Sequence, residues 1–187
     1  MNIPNLIGVI GLNGSGKSTL CKIIEKKGYY PISLSDVVRQ HNLTMNIPID
    51  RDNLTNQANE LKRKFGVDHF AKKTYNIITK KNISKVIFDS IRHPAEMNYL
   101  KLKNTYFIGI NASSETRFKR IQARQRETDF VDFETFKKQE NYETTGKSFG
   151  QHINECFKLC DTILNNESSE EDLINQINLL LNKMPPS

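Results

Sequence analysis

Residues 6–18 read LIGVIGLNGSGKS, in which the apolar run at 6–10 leads directly into the pattern G-x-x-x-x-G-K-S at 11–18. A loop that wraps a polyphosphate turns successive backbone N–H groups inward, and glycine tolerates both the dihedral angles and the close approach required. The run TLCKII at 19–24 continues as a helix, whose positive end would face the phosphates. The stretch therefore predicts a strand, a phosphate-binding loop and a helix. A glycine-rich turn that binds nothing is disfavoured, because both flanking elements are in register.

The same pattern assigns roles within the phosphate loop, residues 11–18. Lys17 is expected to reach the β- and γ-phosphates of a bound nucleoside triphosphate, and the Ser18 hydroxyl is expected to ligate Mg²⁺. Lys17 is thus a catalytic candidate as well as part of the triphosphate site. The residues that we assign to the triphosphate here are Gly11, Asn13, Gly14, Ser15, Gly16, Lys17, Ser18 and Thr19.

Strand-like and helix-like segments alternate along the rest of the chain. Such alternation predicts a parallel sheet covered by helices on both faces, with right-handed crossovers. We expect the 187 residues to form a single three-layer α/β/α domain around a five-stranded parallel sheet. The predicted strands are 6–10, 29–34, 85–89, 105–110 and 162–164; the predicted helices are 17–27, 36–40, 51–80 with a break at 65–66, one opening at 93, 113–124, 153–159 and 169–183; residues 42–50 are predicted as a loop and 125–148 as a charged, mobile region.

Charge and cysteine content limit the partners and the compartment. The net charge of +6 comes mostly from scattered lysines, which favours a site for anionic nucleotides over a nucleic-acid surface. Cys156 and Cys160 stand four apart in a predicted helix, so a buried apolar face is favoured over a disulfide or a metal site. A signal-peptide pattern and a bilayer-length apolar run are both missing. We expect a cytoplasmic protein with a small-molecule nucleotide partner and neither a membrane nor a nucleic-acid partner.

A second set of charged residues falls where the strands end, which is where ligands bind in parallel sheets. The chain has no N-K-x-D motif of the kind that reads guanine in GTPases, and it is short for a helicase or a transporter ATPase. Phosphoryl transfer between two anionic substrates needs guanidinium groups to neutralise and align them. The candidates are the carboxylates Asp36 and Asp89 and the arginines Arg39, Arg92, Arg117, Arg120, Arg124 and Arg126.

Each of these candidates also has a purely structural interpretation. Asp89 is expected to serve Mg²⁺ and its waters, or else to cap the loop that follows its strand. Asp36 is expected to orient the acceptor or bind Mg²⁺ through water, or else to cap its own short helix. Arg39 and Arg92 are assigned to the acceptor phosphate, with surface ion pairs as the alternative. Arg120 and Arg124 share a helical face and can act on one phosphate chain, and Arg117 lies near that face.

These stretches resemble the nucleoside-monophosphate-kinase branch of the phosphate-loop kinases, most closely the small adenylate-kinase-related and dephospho-CoA-kinase-like proteins often seen in archaea. Residues 36–39, DVVR, are similar to the D-h-h-R step, in which the arginine grips the acceptor monophosphate. Residues 89–92, DSIR, resemble the D-G-h-x-R step, although Ser90 stands where glycine is usual and Arg92 comes one residue early. Residues 120–124, RIQAR, resemble the entrance to the lid. Further similar stretches lie at 51–54, 60–66, 112–118 and 160–166.

The resemblance implies a P-loop NTPase fold with strand order 2-3-1-4-5, an acceptor-binding helical insert at about 36–80 and a small lid at about 125–148. Arg126 would lie at the lid tip. Asn165 and Asn166, after the last strand, are expected to contact the adenine of ATP through backbone groups. The expected activity is ATP- and Mg²⁺-dependent phosphorylation of a nucleoside or deoxynucleoside monophosphate. The alternatives are a dephospho-CoA kinase, a regulatory ATP-binding or ATPase module, and a nucleic-acid end kinase.

Overall fold

The computed structural model describes residues 3–124, 132–144 and 151–184. Its centre is a five-stranded sheet in which all neighbouring strands run parallel, in the order β2-β3-β1-β4-β5. The predicted strand order is therefore confirmed. The strands are β1 (Leu6–Ile10), β2 (Tyr30–Ser33), β3 (Val86–Asp89), β4 (Tyr106–Asn111) and β5 (Thr162–Asn165).

Helices connect and cover these strands. Across the three described ranges, none of them has the length and apolar content needed to cross a membrane. They are α1 (Lys17–Glu25), α2 (Ser35–Thr44), α3 (Arg51–Phe65), α4 (His69–Lys80), α5 (Pro94–Lys101), α6 (Ser114–Ala123), α7 (Phe133–Thr144), α8 (Ile153–Lys158) and α9 (Glu170–Lys183).

The sheet separates two apolar clusters, because successive residues of a strand point to opposite faces. On one face, Ile7 and Val9 of β1 pack with Ile24 of α1 and Ile177 of α9. On the other face, Phe88 of β3 and Phe107 of β4 pack with residues of α2, α4, α5 and α8. This burial on both faces holds the carboxyl ends of β1, β2 and β3 along one edge, where the phosphate loop begins.

Two local expectations were wrong. Helix α2 continues to Thr44 rather than ending near residue 40, since Asn42 is buried and its carbonyl accepts from Ile47 N in the following turn. The region 125–148 contains α7, whose Phe136 is buried against Phe118. In each case a tertiary contact overrides the local pattern. Residues 125–131 and 145–150 lie outside the described residues.

We predict that Ile177→Ala will destabilise the protein by about 3 kcal/mol, because it empties a fully buried position between α9 and the sheet. The control is Leu179→Ala two residues away, where the side chain is 59% exposed and the change should stay within about 0.5 kcal/mol. Urea unfolding measures both. Equal losses for the two variants would contradict this assignment of the core.

Candidate functional site

The phosphate loop connects β1 to α1 and carries two backbone conformations that favour glycine. Gly14 has φ +79° and Gly16 has φ +107°, and Gly16 is the N-cap of α1. The Lys17 ammonium lies back over the loop, where it donates to the Leu12 carbonyl oxygen at 2.9 Å. The loop is thus a preformed ring of backbone, with Lys17 held across it.

Two neighbouring segments clamp this ring. The amide of Asn166, a buried side chain in the loop after β5, donates to the Ser15 carbonyl oxygen at 2.8 Å. A Cβ on Gly16 would lie only 2.5 Å from that amide nitrogen, and a Cβ on Gly14 would lie 2.8 Å from the carbonyl oxygen of Arg117 in α6. Both positions therefore require glycine, because a Cβ would collide with the Asn166 amide or with the Arg117 carbonyl oxygen. Sequence reasoning gave Asn166 an adenine contact through its backbone and missed this use of its side chain.

The remaining loop and adenine-side candidates lie around the same ring. Arg124 donates to Asn13 Oδ1 at 3.2 Å, so α6 and the loop also meet through side chains. Thr19 donates to Glu170 at 3.2 Å, which ties α1 to the start of α9. Ser18 is exposed at the start of α1, and Gly11 is buried at the end of β1. The carbonyl oxygen of Asn165 accepts from Gln176 of α9 at 3.1 Å.

The arginines of α6 fall into two groups. Arg120 reaches across to the β5–α9 loop, where its guanidinium donates to the carbonyl oxygens of Asn166 at 2.9 Å and Ser168 at 2.7 Å. Arg120 and Arg124 thus both lie beside the phosphate loop or the loop after β5. The Arg117 side chain is directed elsewhere: it is buried, donates to the Ala112 carbonyl oxygen at 2.7 Å and pairs with Glu140 of α7. Arg117 thus holds α7 against α6.

Glu167 fastens the β5–α9 loop to the start of α6. Its carboxylate accepts from the hydroxyls of Thr116 at 2.8 Å and Ser113 at 2.9 Å and from the Ser113 backbone N–H. These hydrogen bonds, with that from Thr116 the largest contribution, lower the pKa of the Glu167 carboxyl below its ordinary value. Sequence reasoning missed Glu167, which has no local motif to mark it.

At the ends of β2 and β3, Asp89 and three serines form a hydrogen-bonded group. Asp89 accepts from Ser90 N at 2.6 Å, Ser33 donates to Ser90 at 2.8 Å, and the hydroxyls of Ser33 and Ser35 lie 2.9 Å apart. Ser90 has φ +62°, a conformation that favours glycine, which explains why glycine is usual at this step of the motif. Asp89 therefore stabilises its own loop through Oδ1, one of its two carboxylate oxygens.

The charges of Asp89 and Lys17 both influence the thiol of Cys21 in α1. Burial raises the pKa of the Cys21 thiol to about 12, the charge of Asp89 adds to the rise, and the charge of Lys17 opposes it. A cation of the phosphate loop and the carboxylate ending β3 are therefore close enough to influence the same thiol. Cys156 is buried in α8 as expected, whereas Cys160 lies beyond the end of α8 at Lys158 and is half-buried, so the expected shared helix face holds only for Cys156.

Asp36 and Arg39 lie one turn apart on α2 and form an exposed ion pair at 2.9 Å. The expected alternative for Asp36, a helix cap, is not what the structure has, since the N-cap of α2 is Leu34 and has no side-chain cap. Asp36 and Ser33 are among the lining residues of a cavity of about 1190 Å³ between α2, α3 and α4. The cavity thus reaches the carboxyl end of β2, on the same edge of the sheet at which the phosphate loop follows β1.

Arg92 is held in place by a buried network that sequence reasoning did not identify. Its backbone N–H and that of His93 donate to Glu96 at 2.9 and 3.0 Å, and its side chain donates to Gln151. Glu96 is buried 3.7 Å from Lys62 of α3; burial raises the pKa of the Glu96 carboxyl and the lysine charge opposes that rise. The capping pattern HPAE at 93–96 was the available signal for Glu96.

The Ser18 hydroxyl and the Asp89 carboxylate are oxygen groups of the kind that bind Mg²⁺. Within the ranges that the structure describes, there is no cluster of three or more His, Cys, Asp or Glu side chains able to hold a metal by itself. Mg²⁺ needs no such cluster when substrate phosphates and water complete its octahedron around one carboxylate and a hydroxyl. Ser18 and Asp89 fit that requirement in chemistry. Arg126 lies outside the described residues.

Comparison with known sequences identifies a family and relatives of this chain. A family profile described as an AAA domain matches residues 7–143. A UPF0200 protein of Methanococcus maripaludis is 33% identical over 175 residues, which cover 92% of this chain and 93% of that protein.

Comparison with solved structures shows the fold. TT1252 from Thermus thermophilus aligns with a TM-score of 0.60 at 18% identity, covering 98% of this chain and 100% of that one. A shikimate kinase from Acinetobacter baumannii gives 0.57 at 14% identity, covering 97% and 96%. A dephospho-CoA kinase from Campylobacter jejuni gives 0.55 at 18% identity, covering 97% of each chain. The expected P-loop kinase fold is therefore confirmed.

We predict that Gly14→Ala will weaken triphosphate binding by at least about tenfold, or 1.4 kcal/mol, since its Cβ would meet the Arg117 carbonyl and force the loop away from α6. Gly28→Ala is the matched control. Gly28 has φ +87°, but in the described part of the chain no non-neighbouring atom lies within 4 Å of its added Cβ.

Gly28→Ala should therefore cost only the left-handed conformation, about 1 kcal/mol of stability, and leave triphosphate affinity intact. Calorimetric titration with a non-hydrolysable ATP analogue measures both variants. Wild-type affinity in Gly14→Ala would contradict the clamp.

Glu167→Gln tests the fastening of the β5–α9 loop. A lowered pKa means that ionised Glu167 adds stability above its ordinary pKa of 4.5, and this stability is lost as the pH falls through the lower folded-state value. The variant should thus melt below wild type at pH 7, and the gap should close as the pH falls below 4.5. Melting scans from pH 7 to about 3 measure it. Glu25→Gln, at an exposed position of α1, is the control. A difference in melting temperature between Glu167→Gln and wild type that does not change with pH would contradict the assignment.

Proposed function

We propose that this chain, which belongs to the family described as an AAA domain and to the UPF0200 proteins, transfers the γ-phosphoryl group of ATP to a nucleoside or deoxynucleoside monophosphate. One observation carries the proposal. The phosphate loop follows the carboxyl end of β1, and the cavity between α2, α3 and α4 is lined by Ser33 and Asp36 at the carboxyl end of β2, on the same edge of the parallel sheet. A donor and an acceptor phosphate can therefore meet at the strand ends.

On the donor side, backbone N–H groups of residues 13–18 would hold the β- and γ-phosphates, and Lys17 would leave the Leu12 carbonyl to bind them. Arg124, already beside Asn13, would neutralise the γ-phosphate, and Arg120 would act between the triphosphate and the adenine loop at 165–168. Ser18 and Asp89 would hold Mg²⁺. The metal would supply charge neutralisation on the phosphates.

On the acceptor side, Arg39 would bind the monophosphate and Asp36 would orient it. Arg39 now pairs with exposed Asp36, so a small rearrangement frees its guanidinium for the phosphate. Arg92 would be the second acceptor arginine, because Glu96 fixes its backbone and Gln151 its side chain on the same edge. The chemistry needs no covalent enzyme intermediate; alignment and charge neutralisation supply the rate.

Two helical segments would have separate roles, one in binding the acceptor and one in closing the site. Residues 36–80 would form the acceptor-binding insert within a single domain, and residues 125–148 would form a lid that excludes water as a competing acceptor. The buried pair of Arg117 with Glu140 supports a firm attachment of α7, the described part of that lid, to α6.

Dephospho-CoA is the second candidate acceptor. The likeness to the dephospho-CoA kinase of Campylobacter jejuni supports it, as does the exposed carboxylate of Asp36, which could orient a sugar hydroxyl instead of a phosphate. Against it, the chain has Ser35-Asp36 after β2 and lacks the Asp-x-Asp that many such enzymes show there. The two candidates differ in the group that receives the phosphoryl.

A coupled assay with ATP, Mg²⁺ and a panel of ribo- and deoxyribonucleoside monophosphates, with dephospho-CoA as a further acceptor, tests the proposal. At least one monophosphate should raise turnover well above basal ATP hydrolysis, and Lys17→Ala should abolish this rise with most of the triphosphate affinity. Stimulation by dephospho-CoA alone would select the second candidate. The kinase proposal fails if no acceptor raises turnover.

A further inference from the structure

Lys62 of α3 and Glu96 of α5 form a buried ion pair that the proposed transfer does not use. The Lys62 Nζ and the Glu96 Oε1 lie 3.7 Å apart, and only 6% and 2% of the two side chains are exposed. A buried ion pair adds little stability compared with an apolar pair of similar volume, because both charges lose their hydration. Stability alone therefore does not account for this pair, and its contacts indicate a second role.

Glu96 uses its two carboxylate oxygens for different partners. Oε2 accepts from the backbone N–H groups of Arg92 at 2.9 Å and of His93 at 3.0 Å, and Oε1 pairs with the Lys62 ammonium. Hydrogen bonds to an ionised acceptor are roughly twice as strong as those between neutral groups. One buried carboxylate therefore fixes two consecutive peptide groups at the point where the chain enters α5.

The other side of Arg92 is held by the segment before α8. The Arg92 carbonyl oxygen accepts from His152 N at 2.8 Å, and the Arg92 guanidinium donates to the side-chain oxygen of Gln151. The backbone of Arg92 is thus fixed at both its N–H and its carbonyl group. A displacement of Glu96 would therefore displace the guanidinium as well.

Lys62 helps to keep the Glu96 carboxyl ionised. Burial raises the pKa of that carboxyl, and the charge of Lys62 opposes the rise most strongly, followed by the backbone hydrogen bonds from Arg92 and His93 and the charge of Arg92. In α8, burial and then the charge of Glu96 raise the pKa of the Cys156 thiol, so that thiol stays neutral. Without Lys62, the pKa of Glu96 would rise further and the carboxyl would take up a proton at a higher pH.

We propose that Lys62 and Glu96 are positioning residues for Arg92: Glu96 fixes the peptide groups of residues 92 and 93, and Lys62 keeps Glu96 ionised. This inference rests on the proposed function for the role of Arg92, which is to bind the acceptor phosphate. Because both residues of the pair are buried, they act on the acceptor only through Arg92. Since Lys62 belongs to α3, the direction of Arg92 also depends on the position of that helix.

The kinetic test compares wild type with Glu96→Gln, using the acceptor that the coupled assay identifies. The KM for the acceptor should rise by about tenfold, since neutral hydrogen bonds hold Arg92 less firmly, while the KM for ATP stays within about twofold. A purely structural role would lower the folded fraction and change neither KM. Lys72→Met is the control, because it removes an exposed ion pair with Asp68 and should leave both KM values unchanged.

The dependence on pH tests the role of Lys62. The ratio of the acceptor KM of Lys62→Met to that of wild type should rise as the pH falls, because Glu96 loses its charge at a higher pH in the variant. Taking the ratio removes the titration of the acceptor phosphate itself. The double variant Lys62→Met/Glu96→Gln has no buried charge at either position, so it should fold and show a high acceptor KM whose ratio to wild type does not rise as the pH falls.

The backbone amide NMR signals of Arg92 and His93 provide a readout that needs no acceptor. Glu96→Gln should shift both signals and speed their hydrogen exchange, because both N–H groups lose a charged acceptor. In Lys62→Met the two signals should move together as the pH falls. In Lys72→Met they should match wild type at every pH.

Two results overturn the inference: amide signals of Arg92 and His93 that are the same in wild type, Glu96→Gln and Lys62→Met, or an acceptor KM that is unchanged in Glu96→Gln. If an acceptor is phosphorylated with the same KM by every variant, the proposed function survives and the inference fails. If no acceptor is phosphorylated, the proposed function fails, and the amide signals alone decide whether the pair positions Arg92.

Discussion

The close approach of the phosphate loop to its two neighbours is the constraint on which the rest of the site depends. Gly14 lies against the backbone of α6, and Gly16 lies against the Asn166 amide, which also donates to Ser15. Because Arg120 donates to the β5–α9 loop and Arg124 donates to Asn13, one set of contacts holds together the phosphate loop, the arginines of α6 and the β5–α9 loop. A preformed anion site of this kind needs little reorganisation to bind phosphates.

The region of α2 to α5 is built differently, since a buried ion pair connects α3 to α5 and a cavity lies between α2, α3 and α4. Lys62 and Glu96 connect α3 to α5, and Glu96 also holds the backbone of Arg92. Removing one partner of a buried pair leaves an uncompensated charge, so the geometry of Arg92 is coupled to that of the helical insert. Helix α3 therefore both lines the cavity and, through Lys62 and Glu96, helps to position Arg92.

The alternation of apolar, strand-like segments with helical patterns was enough to predict most elements, because strands such as Leu6–Ile10 are buried on both faces and appear as short apolar runs. The strand order was implied by the resemblance to the phosphate-loop kinases. Local patterns could not predict α7, whose burial depends on Phe118 and Arg117 from another helix. In the site, the loop motif marks its own residues. The clamp by Asn166, the fastening by Glu167 and the burial of Arg117 arise between segments distant in sequence, and no spacing rule encodes them.

The central claim is that the phosphate loop and the α2–α3–α4 cavity form one continuous site for two phosphate-bearing substrates. A dinucleoside pentaphosphate, in which five phosphates join two nucleosides, spans both halves of such a site. Steady-state competition measures this directly: the compound should compete with ATP and also with the acceptor, and it should bind far more tightly than either substrate alone. Competition with ATP only, at an affinity no greater than that of ATP, would contradict the claim.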